Sequence, residues 1–296
     1  MEPRLSFYKE INRNKRNSFL LISIVLLVLL ALVYAISAVV SQEYTFIILI
    51  FGTIISILYV VVSYYKSADI AIASVGAKKA TSSHYKRYHN LVEGIALASG
   101  LPKPKLYIME ERQINAFASG RDPQHAVICV TTGALEKLDK QELEGVIAHE
   151  MSHIANYDIR FMTLTAVLVG LISIVSQIFL RSLWFGSGSG GKDNKNQIFL
   201  VIAIVLAILS PILVALVQLA ISRKREYAAD STAVKFMRSP TGLKNALKKI
   251  QHNTDAQKKV PDAVSSLFLA KPSRRTREMF QTHPPLSKRI ERLDNM

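Results

Sequence analysis

The chain has 296 residues, of which 50% are hydrophobic and 20% are charged. Four runs contain no Asp, Glu, Lys, Arg or His, and they lie at about residues 18–40, 44–65, 161–180 and 198–222. A helix needs about 20 apolar residues to cross a hydrocarbon layer of ~30 Å, and each run is long enough. These runs exclude a soluble cytosolic enzyme. They also exclude an outer-membrane barrel, whose alternating strands are about half as long.

Positive charge is unevenly distributed along the chain. The formal net charge is +15, and 34 of the 37 Lys and Arg residues lie before residue 18, within 66–160 or after residue 222. Cytoplasmic segments of membrane proteins carry the excess of Lys and Arg, so both termini and both polar segments are predicted to be cytoplasmic. Anionic headgroups of the lipid bilayer account for the basic charge. We expect no nucleic-acid partner, because the basic tail lacks interleaved aromatic residues.

The charge pattern divides the chain into five segments. The first apolar run is too long for a signal peptide, whose core has about 7–15 residues, so we interpret it as a retained anchor. The segments are a cytoplasmic N-terminal segment (1–17), a first transmembrane hairpin (18–65), a first cytoplasmic part (66–160), a second transmembrane hairpin (161–222) with a flexible Gly- and Ser-rich loop at 181–197, and a second cytoplasmic part (223–296).

The first cytoplasmic part is predicted to contain a helix and a small sheet. A helix over 85–99 ends at Gly100, a residue that commonly terminates helices. Short strands are expected at Lys105–Met109 and Ala126–Thr131. Residues 113–120, which lie between these strands in the sequence, are consistent with a strand at the edge of the sheet. The fold class is therefore mainly α with a small β-sheet. Further helical patterns lie in the tail at 226–237, at Thr241–His252 and after Pro285.

The clearest helix prediction begins at Asp139. Glu142 follows three residues later, and the pair resembles a capping box with Asp in place of Ser or Thr. Apolar residues then repeat at helical spacing and predict a buried face. The helix also carries the sequence His149-Glu150-Met151-Ser152-His153. The lone cysteine, Cys129, excludes a disulfide scaffold and is expected to be a small core residue.

The two histidines of this helix have the spacing of metal ligands. His149 and His153 are four residues apart, so both imidazoles lie on one helical face and can bind one ion. Glu150 would stand beside the open coordination position, where it can take a proton from bound water. The alternative is two surface histidines on an amphipathic helix.

A catalytic zinc ion normally has three protein ligands and one water, so a further ligand is needed. The extended H-E-x-x-H-x-x-G-x-x-H pattern is excluded, since residues 156 and 159 are not Gly and His. Glu226 is the best candidate, and Asp230 lies one helical turn later, where it can accept a hydrogen bond from a ligating histidine. Alternatively, Glu226 is exposed and pairs with a neighbouring arginine.

Together these motifs resemble the membrane-bound zinc endopeptidases of the HtpX heat-shock protease type, which are related to the CAAX prenyl proteases. The resemblance implies a gluzincin-like cytoplasmic metalloprotease domain on a protein with four transmembrane helices, multi-pass in the bacterial inner membrane. Four pieces carry it, namely Asn115-Ala116-Phe117-Ala118, His149-Glu150-Met151-Ser152-His153, Glu226-Tyr227-Ala228-Ala229-Asp230 and Thr282-His283-Pro284-Pro285 with Arg289.

The resemblance also implies roles at the metal. His149, His153 and Glu226 would bind one Zn²⁺ per chain. Glu150 would be the general base, and Asp230 would stand behind the ligands.

Further roles implied by the resemblance concern the substrate. His283 would lie near the scissile carbonyl with support from Arg289, and the strand containing Asn115, Ala116 and Phe117 would pair with an extended substrate. From the residues alone, an exposed loop histidine and simple packing of the phenylalanine both remain open.

The expected function is zinc-dependent hydrolysis of peptide bonds in protein substrates. By the resemblance, these are misfolded or damaged membrane proteins cleaved in stress-linked quality control. A CAAX-prenyl-type protease and a membrane receptor or transporter with a structural metal site remain as alternatives. Transporters usually carry ionisable residues within their spans, and the four runs have none.

Overall fold

A computed structural model describes residues 7–39, 42–165, 223–253, 267–269 and 284–296. Most of the predicted third span, the whole of the fourth span, the loop at 181–197 and His283 lie outside the described residues.

Two long helices form the N-terminal part of the protein. Helix α1 spans Phe7–Val39 and α2 spans Gln42–Tyr65. Within the described part of the chain, these two are long and apolar enough to cross a membrane, over Asn12–Ala31 and Tyr44–Tyr65. Only 6% of the α2 window is buried inside the protein, so its apolar side chains face outward, as in a helix surrounded by lipid. The window in α2 matches the second predicted span, whereas the window in α1 begins six residues before the first predicted span and overlaps it over residues 18–31.

The remaining described residues are mainly helical. Residues 158–165 form a helical segment directly after the predicted metal-binding helix. The other helices are α3 (Ser67–Ser74), α4 (Lys86–Ser99), α5 (Thr132–Lys137), α6 (Lys140–Ala155), α7 (Arg223–Met237), α8 (Thr241–His252) and α9 (Leu286–Asp294), with a 3₁₀ turn at Pro123–His125.

Four short strands form one mixed sheet. The strands are β1 (Lys78–Lys79), β2 (Lys105–Met109), β3 (Ala116–Gly120) and β4 (Ala126–Thr131). Their order is β1-β2-β4-β3, with β2 and β4 parallel and the other two pairs antiparallel. Strand β3 is therefore an edge strand. The mainly helical fold with a small sheet is confirmed.

The core lies between the sheet and helices α4, α6 and α8. Helix α4 ends at Gly100, whose φ of 71° is the left-handed conformation that glycine adopts without strain. The apolar face of α4 and both faces of β4 are buried. The innermost side chains include Val92, Ile128, Val130, Leu143, Ile147, Met151, Leu243 and Leu247.

Helix α6 begins with the predicted capping box. The Asp139 carboxylate accepts a hydrogen bond from the Glu142 N–H (2.9 Å), and the Glu142 carboxylate accepts one from the Asp139 N–H (2.8 Å). Two N–H groups that the helix itself leaves unpaired are thereby satisfied. The last turn of α6 is buried on every side rather than on one face, because α7 covers the side of α6 that carries the histidines.

Candidate metal centre

The two histidines of α6 are held face to edge inside the protein. His149 and His153 are 1% and 4% exposed. Their Nε2 atoms are 3.3 Å apart, and their rings are nearly perpendicular. The alternative of two surface histidines is therefore wrong.

Helix α7 brings a carboxylate to the same point. One oxygen of Glu226, Oε2, lies 3.6 Å from Nε2 of His149, and the other, Oε1, lies 3.8 Å from Nε2 of His153. The candidate ligand atoms of all three residues lie within 4.8 Å of one another. A zinc ion with tetrahedral bonds of about 2.0–2.1 Å separates its ligand atoms by about 3.3 Å. The donor set of two imidazoles and one carboxylate, at these separations, fits a zinc ion.

Each histidine is oriented from behind by a buried aspartate. Nδ1 of His149 is 3.0 Å from Oδ1 of Asp230, and Nδ1 of His153 is 3.0 Å from Oδ2 of Asp158. An imidazole that donates Nδ1–H to a carboxylate keeps its Nε2 lone pair for a metal. Both lone pairs then face Glu226.

The sequence did not predict Asp158. It lies beyond the end of α6, where helical periodicity no longer applies. Tyr157 has a φ of 59°, unusual for a residue other than glycine, and this turn brings the aspartate back beneath His153. The only signal in the sequence was an acidic residue five positions after the second histidine.

Arg289 of α9 connects the two carboxylates of α7. Its guanidinium donates to both oxygens of Asp230, at 2.9 and 2.6 Å, and its Nη1 lies 3.3 Å from Oε2 of Glu226. The side chain is completely buried. Arg289 thus lies behind the candidate ligand residues, and its support of the region near the scissile carbonyl stays a prediction.

The pKa values of His149 and Asp230 reflect this network. Burial and the Arg289 charge act to lower the pKa of His149, but hydrogen bonds to Asp230 and Glu226 outweigh them and raise it to about 9. Burial tends to raise the pKa of Asp230, but the nearby Arg289 and His149 lower it overall. Asp230 is therefore a carboxylate that accepts hydrogen bonds.

Glu150 is buried beside the two histidines. The Ala118 N–H of β3 donates a backbone hydrogen bond to its carboxylate. Burial raises the pKa of Glu150 above its usual value. A carboxylate with a raised pKa is a stronger proton acceptor, which is the property required of a general base.

The edge of β3 next to Glu150 is already in use. The carbonyl of Ala116 accepts a hydrogen bond from the Leu269 N–H at 3.0 Å. The N–H of Ala116 donates to Oδ1 of Asn115. Phe117 is fully buried and packs against Phe268, with ring centroids 5.1 Å apart. Its side chain packs in the core, while pairing of this strand with a substrate stays a prediction.

Two other predicted residues complete the account. His283 lies outside the described residues. Cys129 is 1% exposed, and burial raises the pKa of its thiol, as expected for a small core residue.

A metallopeptidase is the class of enzyme that this fold and arrangement of side chains define. Known proteins point to the same class. The family model described as Peptidase family M48 matches residues 82–296. The chain therefore belongs to peptidase family M48.

Curated relatives named Protease HtpX homolog match nearly the whole chain. The relative from Thermoanaerobacter pseudethanolicus is 43% identical, with 99% of both chains covered. The relative from Caldanaerobacter subterraneus subsp. tengcongensis is 46% identical over 84% of both chains. One from Streptococcus pyogenes is 36% identical over 98% of this chain and 99% of its own. The protein is thus a membrane metalloendopeptidase of the HtpX type, which excludes the receptor or transporter alternative.

A solved structure shares the fold. The crystal structure of S. mikatae Ste24p matches with a TM-score of 0.53 and 18% sequence identity. The match covers 89% of this chain and 62% of that one, so the present chain spans less than two thirds of Ste24p.

Proposed function

We propose that this metalloprotease uses zinc to cleave misfolded or damaged membrane proteins at the cytoplasmic face of the bacterial inner membrane. The observation that carries the proposal is the convergence of His149, His153 and Glu226 beside the buried carboxylate of Glu150. The metal dependence follows from the family, and the donor set favours zinc.

Each residue of the site has a separate role in the proposed hydrolysis. His149, His153 and Glu226 would hold the ion, which when bound supplies a water of lowered pKa and a Lewis acid for the substrate carbonyl. Glu150 accepts a proton from the attacking water and passes it to the leaving amine. Asp230 keeps the ring of His149 in one orientation. His283, adjacent to the buried Pro284, would donate a hydrogen bond to the developing oxyanion.

The substrate would bind in an extended form along β3. Ala116 and Ala118 present their backbone groups on the side of the strand away from β4, next to Glu150. Backbone pairing with a sheet edge selects extended chains with little dependence on their side chains, which suits unfolded segments. Because the Ala116 carbonyl is bonded to Leu269, a substrate that uses this carbonyl has to displace that contact.

The five-segment arrangement with both termini cytoplasmic is part of the proposal. Near the N-terminal end of α1, the side chain of Asn14 is hydrogen-bonded to the turn after α6. This contact supports a location of the N-terminus and the metal site on the same side of the membrane. The excess of positive charge in the same segments supports a cytoplasmic location for that side.

The decisive experiment replaces the base and leaves the ligands in place. Glu150→Gln should retain zinc and lose about 10²- to 10⁴-fold in the rate of cleavage of casein by detergent-purified protein. Glu144→Gln, on the same helix but partly exposed, is the matched control and should behave as the wild type. Wild-type cleavage by the Glu150 variant would refute the assignment of the base.

A further inference from the structure

The turn after α6 connects the metal site to the first membrane helix. Helix α6 ends at Ala155, Asn156 and the left-handed Tyr157 form the turn, and the next helical segment begins at residue 158. One oxygen of the Asp158 carboxylate faces His153. The orientation of that imidazole therefore depends on what holds the other oxygen.

The other oxygen is bound by a residue that is distant in sequence. Nδ2 of Asn14 donates to Oδ1 of Asp158 at 2.7 Å and to the carbonyl of Asn156 at 2.9 Å. Both partners are acceptors, so the nitrogen of the Asn14 amide must face them. Asn14 and Asp158 are 2% and 1% exposed, respectively. One buried side chain thus clamps the turn on both sides of Tyr157.

Further contacts fix α1 at this point. Further along α1, the buried Leu21 packs against Phe161 and Leu164 of the helical segment 158–165. The ammonium of Lys15 lies 4.5 Å from the centroid of the Tyr157 ring. The end of α1 is therefore packed against the turn by apolar, aromatic and hydrogen-bonding contacts.

We propose that Asn14 is a positioning residue for the metal site, acting on His153 through Asp158. The buried amide holds the carboxylate in one orientation, and the carboxylate holds the Nδ1–H of the imidazole, so that Nε2 faces the other ligands. Loss of a group behind a metal ligand typically weakens metal binding about 10- to 100-fold. This role rests on the proposed use of His153 as a ligand.

The test measures metal binding by the full-length protein in detergent. Asn14→Leu is similar in size and lacks the donor, and Asn12→Leu, two residues earlier on the exposed face of α1, is the control. We expect Asn14→Leu to weaken Zn²⁺ binding about tenfold or more in competition with a chelator. It should also alter the visible absorption of bound Co²⁺, which reports ligand geometry. The control should change neither.

A double-mutant cycle separates this role from a general effect on folding. If Asn14 acts through Asp158, its replacement should have little further effect on the Zn²⁺ dissociation constant in an Asp158→Ala background. Asn14→Ala serves the same comparison if the leucine variant does not fold. Wild-type Zn²⁺ binding and Co²⁺ absorption in the Asn14 variant, or additive effects in the cycle, would overturn the inference. Failure of the wild type itself to bind metal would instead refute the proposed function.

Discussion

Arg289 places its positive charge against both carboxylates of α7, those of Glu226 and Asp230. It is fully buried, and so are Asp230 and Glu226. A buried ion pair from which one partner is removed leaves an uncompensated charge at a cost of about 3–5 kcal/mol. The arginine therefore balances the site before a metal ion arrives.

Replacement of this arginine should destabilise the metal-free protein more than the metal-bound one. We expect Arg289→Met to lower the free energy of unfolding by about 3–5 kcal/mol without metal and by less with saturating Zn²⁺, because the divalent charge compensates the same carboxylates. Thermal unfolding with and without Zn²⁺ measures both values. The exposed Arg292, which lies over the ring of Tyr227, provides the control Arg292→Met. Equal losses in both conditions would contradict this role.

Metal binding should depend on pH through His149. Its pKa in the metal-free protein is raised to about 9, so the imidazole is protonated at neutral pH and Zn²⁺ has to displace a proton. We expect the apparent affinity for Zn²⁺ to rise by up to about tenfold per pH unit between pH 6 and 8. Titrations against a pH-calibrated chelator measure this slope. If the affinity for Zn²⁺ does not change between pH 6 and 8, the raised pKa of His149 is contradicted.

Regular spacing made part of the site predictable at the scale of residues. His149 and His153, and likewise Glu226 and Asp230, are four apart on predicted helices, so the sequence alone places each pair on one helical face. Asp158 and Asn14 follow no such period. Their positions depend on a left-handed residue and on a contact across 144 residues of sequence, neither of which local patterns encode.

At the scale of elements, helices α6 and α8 approach each other so closely that each has a glycine, without a side chain, at the point of contact. A Cβ added to Gly145 would collide with the backbone of Leu243, and one added to Gly242 would collide with the carbonyl of Gln141. Side chains at these positions would push the two helices apart. The position of α6, and with it the two histidines, therefore depends on this contact.

An alanine at this contact should destabilise the protein. We expect Gly145→Ala to cost about 1–3 kcal/mol, as for overpacking of a close-packed core. Gly94→Ala, within α4 and with open space around the new methyl group, should instead stabilise by about 0.5–1 kcal/mol. Thermal unfolding of the two variants tests the difference in sign. Two stabilised variants would show that the helices can separate at little cost.

The elements themselves were largely predictable, but their arrangement in the sheet was not. The capping box of α6, the end of α4 at Gly100 and the strands β2 and β4 all lie where composition and periodicity predicted them. The pairing of β2 with β4 in parallel, which leaves β3 at the edge, arises from contacts between strands that are distant in sequence. Local patterns carry no information on that choice.

At the scale of the whole molecule, the predicted topology can be tested with single cysteines. Cys129 is buried and its thiol has a raised pKa, so the wild type should react little with a membrane-impermeant maleimide and serves as the control. Ser187→Cys, in the predicted external loop, should be labelled in intact cells. Ser273→Cys, in the tail, should be labelled only after permeabilisation. The reverse pattern would contradict the assignment of the cytoplasmic side.

If Asn14 positions His153 as proposed, its contact with the turn after α6 would make metal binding depend on the insertion of α1 into the bilayer. In this chain α1 is synthesised well before the ligands that it supports. A copy whose first helix fails to enter the bilayer would also fail to present that amide, and its His153 would be loosely held. Mistargeted copies of the protease would then bind their metal ion weakly and cleave slowly. Cytosolic proteins would be spared from cleavage in the wrong compartment.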